Sequence, residues 1–280
     1  MMQGKTCVIT GASSGIGEQT AYALADQGAD LILVCRNQDK AVRVATQIHL
    51  RNRSSRVDVV VGDFSSLEQV RKVADEVLTM ERPLHVLLNN AGVFNFRRSL
   101  TVDGHEEMFA VNHLAHFLLT NLLLERLKQT AGARVVTVGS GAHKLVKAIN
   151  FEDLSFEHRF RPLHVYSHSK LANGLFGYTL AQRLQGTGVT SNVVDPGEVS
   201  TNLGVQNGWF GVMLKRLMSR FLQSPKTGAE TSIYACSAPV LQGVSGQYLR
   251  NSGVGKARRW ATDDIAGDAL WEKSAALVAQ

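Results

Sequence analysis

Six strand-length apolar runs, "TCVIT", "DLILVC", "VDVVVGD", "LHVLLNN", "RVVTVGS" and "TSNVVD", alternate along the chain with longer segments of helical pattern. Those segments fall at residues 16–27, 38–50, 66–80, 104–129 and 166–185. No other feature constrains the fold as strongly. Strands that are apolar nearly throughout must be covered on both faces, and parallel neighbours need a long crossover, which the intervening helices supply. The expected fold is therefore α/β, a doubly wound parallel sheet flanked by helices on both faces. Ser65 and Glu68 have capping-box spacing at the third helix, and Gly28 stands where the first should stop.

No Pro- or Gly-rich linker and no internal repeat divides the 280 residues, so one domain spanning 1–280 is expected. No run of about 18 apolar residues occurs, and the N-terminus enters strand and loop chemistry at once, so neither a signal peptide nor a membrane anchor is expected. The three cysteines, Cys7, Cys35 and Cys236, are scattered among apolar neighbours without metal spacing, as reduced core thiols of a cytoplasmic protein would be. The formal charge of +6 is dispersed rather than interleaved with aromatics, which argues against a nucleic-acid partner and suits an anionic cofactor. Residues 198–226 break the rhythm with "GWFGVMLKRLMSRFL". Lying after a strand, at the edge of the sheet where ligands bind, this segment is expected to be a lid over an apolar pocket; a peripheral membrane contact and a partner interface are its alternatives.

The first strand runs into "TGASSGIG", Thr10 to Gly17, and a helix follows immediately. Gly11, Gly15 and Gly17 allow a sharp turn and close approach to a pyrophosphate, and a helix N-terminus offers free amides and a positive dipole end. The second strand ends at Cys35 and Arg36. An acid there would accept hydrogen bonds from a ribose and favour NAD, whereas Arg36 can pair with a 2′-phosphate and favours NADP; a solvated residue closing a strand is its plain reading. Glu18 nearby adds negative charge to the same region. Asp63 follows the third strand, where a turn-forming role is equally available to it.

In "VYSHSKLANGLF", residues 165–176, Tyr166 and Lys170 are one helical turn apart and share a face. A phenol ordinarily titrates near ~10, and an adjacent ammonium lowers that value, which would fit the pair for acid/base work. His164 and His168 also stand four apart, but no third ligand is evident, so no metal site is expected. His113 and His116 read as hydrogen-bonded residues of a packed helix, and Asn112 beside them needs its amide satisfied.

Taken together, "TGASSGIG", "NNAG" (Asn89 to Gly92), Asn112 in "VNHLAHFLLT", Ser140 closing "RVVTVGS", the YxxxK pair and "DPGEVST" (195–201) resemble the short-chain dehydrogenase/reductase family over nearly the whole chain. That resemblance implies a Rossmann-type sheet and a catalytic set of Asn112, Ser140, Tyr166 and Lys170. Tyr166 would exchange a proton with the substrate oxygen, Ser140 would position that oxygen, Lys170 would hold the nicotinamide ribose and lower the tyrosine pKa, and Asn112 would hold a water in a relay to Lys170. The implied cofactor contacts are Gly11, Ser13, Ser14, Gly15, Ile16, Gly17, Arg36, Asp63 (at the adenine), Asn90, Ala91, Gly92, Tyr166, Lys170, Pro196, Gly197, Val199 and Thr201.

Within the family, "YSHSKLANGLF" and "SPKTGAETSIYACSA" look most like the retinol dehydrogenase branch, which implies NADP and apolar alcohols or aldehydes. Steroid or xenobiotic carbonyls are the nearest alternative substrates. A non-enzymatic NADP-binding sensor is the alternative of a different class, against which the intact proton-donor set argues. Phe94, Phe96, Phe151, Phe156, Trp209 and Phe210 are expected to line the substrate side. Pairing through helices 104–129 and 166–185 into a homodimer or homotetramer is implied by family analogy.

Overall fold

The computed structural model describes residues 2–197 and 223–279. In chain order the elements are β1 (Thr6–Thr10), α1 (Gly15–Asp26), β2 (Asp30–Cys35), α2 (Gln38–Arg51), β3 (Val57–Val61), α3 (Leu67–Thr79) and β4 (Val86–Asn89). Then come α4 (Glu107–Phe109), a π-helical turn (Ala110–Leu114), α5 (Ala115–Lys128), β5 (Arg134–Val138) and a 3-10 turn (Gly141–Leu145). The described chain closes with α6 (Pro162–Arg183), β6 (Thr190–Asp195), α7 (Pro225–Ser237), β7 (Tyr248–Arg250), β8 (Gly253–Val254) and α8 (Asp264–Val278).

These strands form one sheet in the order β3-β2-β1-β4-β5-β6-β7-β8. All pairings are parallel except that of β8 with β7. The order reverses at β1, so the ends of β1 and β4 open a crevice at the carboxyl edge. Strands β1 to β5 split their side chains between two cores. Val8 packs with α3, α5 and α6, whereas Cys7 and Ile9 on either side of it pack with α1, α2 and α7. That two-residue period under two apolar layers is why the strands read as continuous apolar runs.

The helix ends follow local chemistry. Gly28, at φ +90, ends α1: its amide bonds to Ala25 O at 2.9 Å, and the amide of Ala29 reaches Leu24 O at 3.0 Å. The capping box expected from Ser65 and Glu68 does not form, and the helix is capped by a single residue one position later. Ser66 caps α3 by accepting from Gln69 N at 3.4 Å, and Gln69 Oε1 accepts from Asp63 N at 2.9 Å. Ser65 is instead drawn back onto Asp63 Oδ1 by both its amide and its hydroxyl. Helix α6 starts at Pro162 rather than at Tyr166, because Pro at the first position forgoes an amide that would have no partner anyway. This places Tyr166 and Lys170 in the second and third turns. The long helix expected over 104–129 is interrupted by the π turn around Asn112.

Strands β7 and β8 and helices α7 and α8 were not among the expected elements. The signals were present: Ser224 before Pro225 caps α7 by accepting from Thr227 N, and Asp263 caps α8 by accepting from Ala266 N.

Candidate active site

The crevice is built first from a threonine. Thr10 ends β1, and its Oγ1 accepts from the amides of Asn90 at 2.8 Å and Ala91 at 3.0 Å, while Asn90 Nδ2 donates to Thr10 O at 2.7 Å. His116 lies beneath. Its Nδ1 faces Asn112 O at 3.1 Å and its Nε2 faces Thr10 Oγ1 at 3.1 Å, an arrangement that puts the proton on Nδ1 and leaves Nε2 to accept. Burial holds His116 down at about 3, so it is neutral. His116 and His113, whose Nε2 meets Ser274 Oγ at 2.9 Å, are thus the packed, hydrogen-bonded residues expected.

Glycine is required where this turn meets the helix. A Cβ on Gly17 would stand 2.5 Å from both Asn90 Nδ2 and Gly11 O, and one on Gly11 would stand 2.9 Å from Ala91 Cα. Gly11 and Gly15 also take φ of +67 and +63. Ser14 is the N-cap of α1 but makes no side-chain cap hydrogen bond, whereas α2 and α3 are capped by Asn37 and Ser66. The first amides of α1 therefore face the crevice, and with the close backbone approach at Gly11 they fit a dinucleotide pyrophosphate. Ser13 sits beside the Cys35 thiol, bringing this loop to the end of β2.

At the far end of the crevice Arg36 is 63% exposed and lies 3.9 Å from Asp63 Oδ2. The other Asp63 oxygen holds Ser65, so Asp63 also serves the turn. Glu18, which adds acid to the region, is paired with Arg43 at 3.0 Å and accepts from Tyr22 at 3.0 Å. Its charge is therefore compensated within the protein.

Four elements bring the central group together. Ser140 follows β5, accepts from Ala142 N at 3.2 Å and lies within hydrogen-bonding reach of the Tyr166 phenol. Lys170 is 4% exposed; its Nζ donates to Val138 O at 3.0 Å and sits 5.7 Å from the Tyr166 ring centre. Asn112 is fully buried, with Oδ1 accepting from Val93 N at 2.7 Å and Nδ2 donating to Val93 O at 3.1 Å and Ser169 Oγ at 2.9 Å. Its side chain is thereby committed, and its carbonyl accepts from His116 Nδ1.

The expectation that Lys170 lowers the Tyr166 pKa is not met. Burial raises the phenol to about 12; the Ser140 hydrogen bond pulls it down and Asp195 pushes it up. The lysine is itself lowered by burial, to about 8, with Asp195 acting against that fall. Low-dielectric surroundings penalise the charged form of each group, and burial is the largest cause at both.

Tyr166 lies against an apolar cluster of Met108, Phe156 and Val165, with Val93, Phe94 and Phe160 packed on it, and Phe94 meets its ring edge-on at 5.4 Å. Phe96 continues the wall at 5.4 Å from Phe94. Phe151 departs from its expected place and packs against the main core instead. His168 Nε2 accepts from Asn150 N at 2.9 Å, so that atom is already occupied. Gly197 has φ +78 and donates to Asp195 Oδ1 at 3.0 Å, making the turn expected at Pro196 and Gly197. Val199, Thr201, Trp209 and Phe210 lie outside the described residues, as does the expected lid except for its final residues, of which 225 and 226 open α7. Sequence reasoning did not single out Thr10, Asp195, Tyr248 or His143. An acid closing the otherwise uncharged run "TSNVVD" was the available signal for Asp195.

A nucleotide crevice at the strand-order reversal, joined to a half-buried Ser and Tyr and a buried Lys, defines a dinucleotide-dependent oxidoreductase. The short chain dehydrogenase model matches residues 5–208, and the chain belongs to that family. It is an NAD(P)-dependent oxidoreductase acting on CH-OH groups, related to the retinol dehydrogenases. Retinol dehydrogenase 12 of Mus musculus is 43% identical over 279 residues, covering 98% of this chain and 86% of that protein. Retinol dehydrogenase 14 of Homo sapiens is 41% identical over 295 residues, covering 99% and 87%. Among solved structures, an uncharacterized protein from Mycobacterium Paratuberculosis has a TM-score of 0.78 at 34% identity, covering 100% of this chain and 95% of that one. A short chain dehydrogenase from Burkholderia cenocepacia J2315 in complex with NADP has a TM-score of 0.71 at 25% identity, covering 89% and 96%.

Proposed function

We propose that the protein is an NADP-dependent oxidoreductase that interconverts apolar alcohols with aldehydes or ketones. The observation that carries this reading is the setting of Tyr166: a half-buried phenol in reach of Ser140, with Lys170 beside it and a wall of Phe94, Met108, Phe156 and Val165 around it. Such walls exclude water and favour apolar substrates, leaving the Tyr166 and Ser140 hydroxyls to orient one oxygen.

The bound nicotinamide supplies hydride for reduction or accepts it in oxidation. Tyr166, held protonated by its burial, donates a proton to the carbonyl oxygen in reduction and takes one from the alcohol in oxidation. Ser140 hydrogen-bonds the same oxygen. Lys170 orients the ribose, and Asn112 holds a water in a proton relay to Lys170. Gly11, Ser13, Ser14, Gly15, Ile16 and Gly17 hold the pyrophosphate, Asp63 the adenine end, and Asn90, Ala91, Gly92, Pro196 and Gly197 the nicotinamide side. Arg36, exposed at the end of β2 with its acidic neighbour Glu18 neutralised by Arg43, favours a 2′-phosphate and hence NADP. A single domain over 1–280 with a lid at 198–226 and a homodimer or homotetramer belong to this reading. So does a cytoplasmic setting, supported by three buried free thiols. No helix among the described residues is long and apolar enough to cross a membrane.

Oxidation of NADPH and of NADH, followed at the nicotinamide absorbance against apolar aldehydes and ketones including retinal, tests it. Turnover that prefers NADPH and is lost in Tyr166→Phe is the expected result. NADPH binding without turnover across the panel would overturn the enzyme reading in favour of a sensor.

A further inference from the structure

Asp195 closes β6 in the middle of the sheet and is 1% exposed. A carboxylate there needs partners, and the fold provides two donors and a nearby cation. The Tyr248 hydroxyl donates to Oδ2 at 2.7 Å, Gly197 N donates to Oδ1 at 3.0 Å, and Arg250 Nε stands 3.7 Å from Oδ2. The carboxylate also abuts the turn after β5: a Cβ on Gly141, next to Ser140, would lie 3.5 Å from Oδ2. Thus one buried acid touches both turns that flank the reacting group.

Lys170 supplies the complement. Its ammonium is buried, and its hydrogen bond goes to a neutral carbonyl, Val138 O. A buried cation with only neutral partners is costly, and an acid within electrostatic reach offsets part of that cost. Asp195 is the acid whose charge acts on Lys170.

We propose that Asp195 is a positioning residue of this active site, a buried counter-charge that fastens the Pro196–Gly197 turn against the Ser140 turn and offsets the buried charge of Lys170. This rests on the functional reading above for its relevance to catalysis, but not for its test. The titratable or charged groups around Asp195 are Tyr166 and Lys170 from α6, His143 from the turn after β5, and Tyr248 and Arg250 from β7. Burial lowers the His143 pKa, and its Nδ1 donates to Ser140 O at 2.7 Å.

The test is a lysine side-chain NMR titration of the cofactor-free protein, with the Lys170 signal assigned by its loss in Lys170→Met. In Asp195→Asn, which keeps the shape and an acceptor for Gly197 N, the Lys170 midpoint should fall by at least about half a pH unit. In Tyr248→Phe, which removes a hydrogen bond but leaves the charge, it should move much less. An unchanged midpoint in folded Asp195→Asn, or an equal fall in Tyr248→Phe, would overturn the proposal. Should Asp195→Asn not fold, Arg250→Ala at a 42% exposed side chain carries the test: unshielding Asp195 should raise the midpoint, and no rise refutes the idea. Absence of Tyr166-dependent turnover in the unaltered protein would sink the functional reading alone, since the lysine titration does not depend on it.

Discussion

The Lys170 amine stands 5.7 Å from the centre of the Tyr166 ring while spending its hydrogen bond, at 3.0 Å, on the carbonyl of Val138. The two groups therefore share a site without sharing a proton directly. Of the pair, it is the lysine that titrates near neutrality, because burial draws it to about 8 and drives the phenol to about 12.

Carbonyl reduction should accordingly decline as pH rises through about 8, where the buried ammonium loses its charge, and not through a tyrosine titration. Rate measurements across neutral and alkaline pH check this. Lys170→Arg, which stays charged throughout the range, should lose that limb whatever its absolute rate.

Arg36→Ala should weaken NADPH binding by about tenfold to a hundredfold, the worth of a charge-assisted hydrogen bond, and leave NADH binding nearly unchanged. Equilibrium fluorescence titration with both nucleotides reads the difference. Equal losses for the two would show that Arg36 does not meet the 2′-phosphate.

Gly17→Ala sets two effects against each other. Alanine in a helix is favoured over glycine by about 1 kcal/mol, but its Cβ would stand 2.5 Å from Gly11 O, a backbone atom that cannot swing aside. The turn must open, so cofactor binding should fall by at least about tenfold, about 1.4 kcal/mol, even if thermal stability changes little. Calorimetric binding and melting curves separate the two.

Glu106 is fully buried; Oε2 accepts from Phe109 N at 2.8 Å, Oε1 has no partner, and burial raises the carboxyl to about 7. The folded state therefore holds this proton more tightly than the unfolded chain. Between the ordinary value of 4.5 and about 7 the native protein keeps a proton that the unfolded chain has released, so this group makes stability fall as pH rises through that window. The cost at and above neutrality is about 2–4 kcal/mol. Glu106→Gln should melt higher than the unaltered protein at neutral pH, with the gap closing toward pH 4.5. A gap that widens on acidification would contradict the assignment.

How much of this was legible beforehand depended on whether the signal was local. The apolar runs and the Gly-rich turn are contiguous, so the sheet, its parallel sense and the β1–α1 crevice could be read directly, as could Asn112, Ser140, Tyr166 and Lys170 through their shared pattern. Asp195 was not read, because its meaning comes from Tyr248 and Arg250, residues 53 and 55 positions away that only the sheet brings alongside. The Tyr166 pKa was misjudged for a similar reason. Helical spacing shows that a lysine is near, but the degree of burial that reverses the balance is a property of the whole fold. The shift from Ser65 to Ser66 at α3 reflects competition for Asp63, which a capping pattern alone does not weigh.

The π turn at Ala110–Leu114 acts as a phase adjuster on a rotating shaft. One extra residue there offsets the helix beyond it by about 100° from the register α4 would otherwise impose. That offset lets Asn112 lock onto Val93 in the loop after β4 while His116, four residues later, reaches Thr10 at the end of β1. Deleting any single residue from this stretch would turn one contact set away from its partner whichever residue was removed. The stretch should therefore tolerate substitution far better than any change in its length.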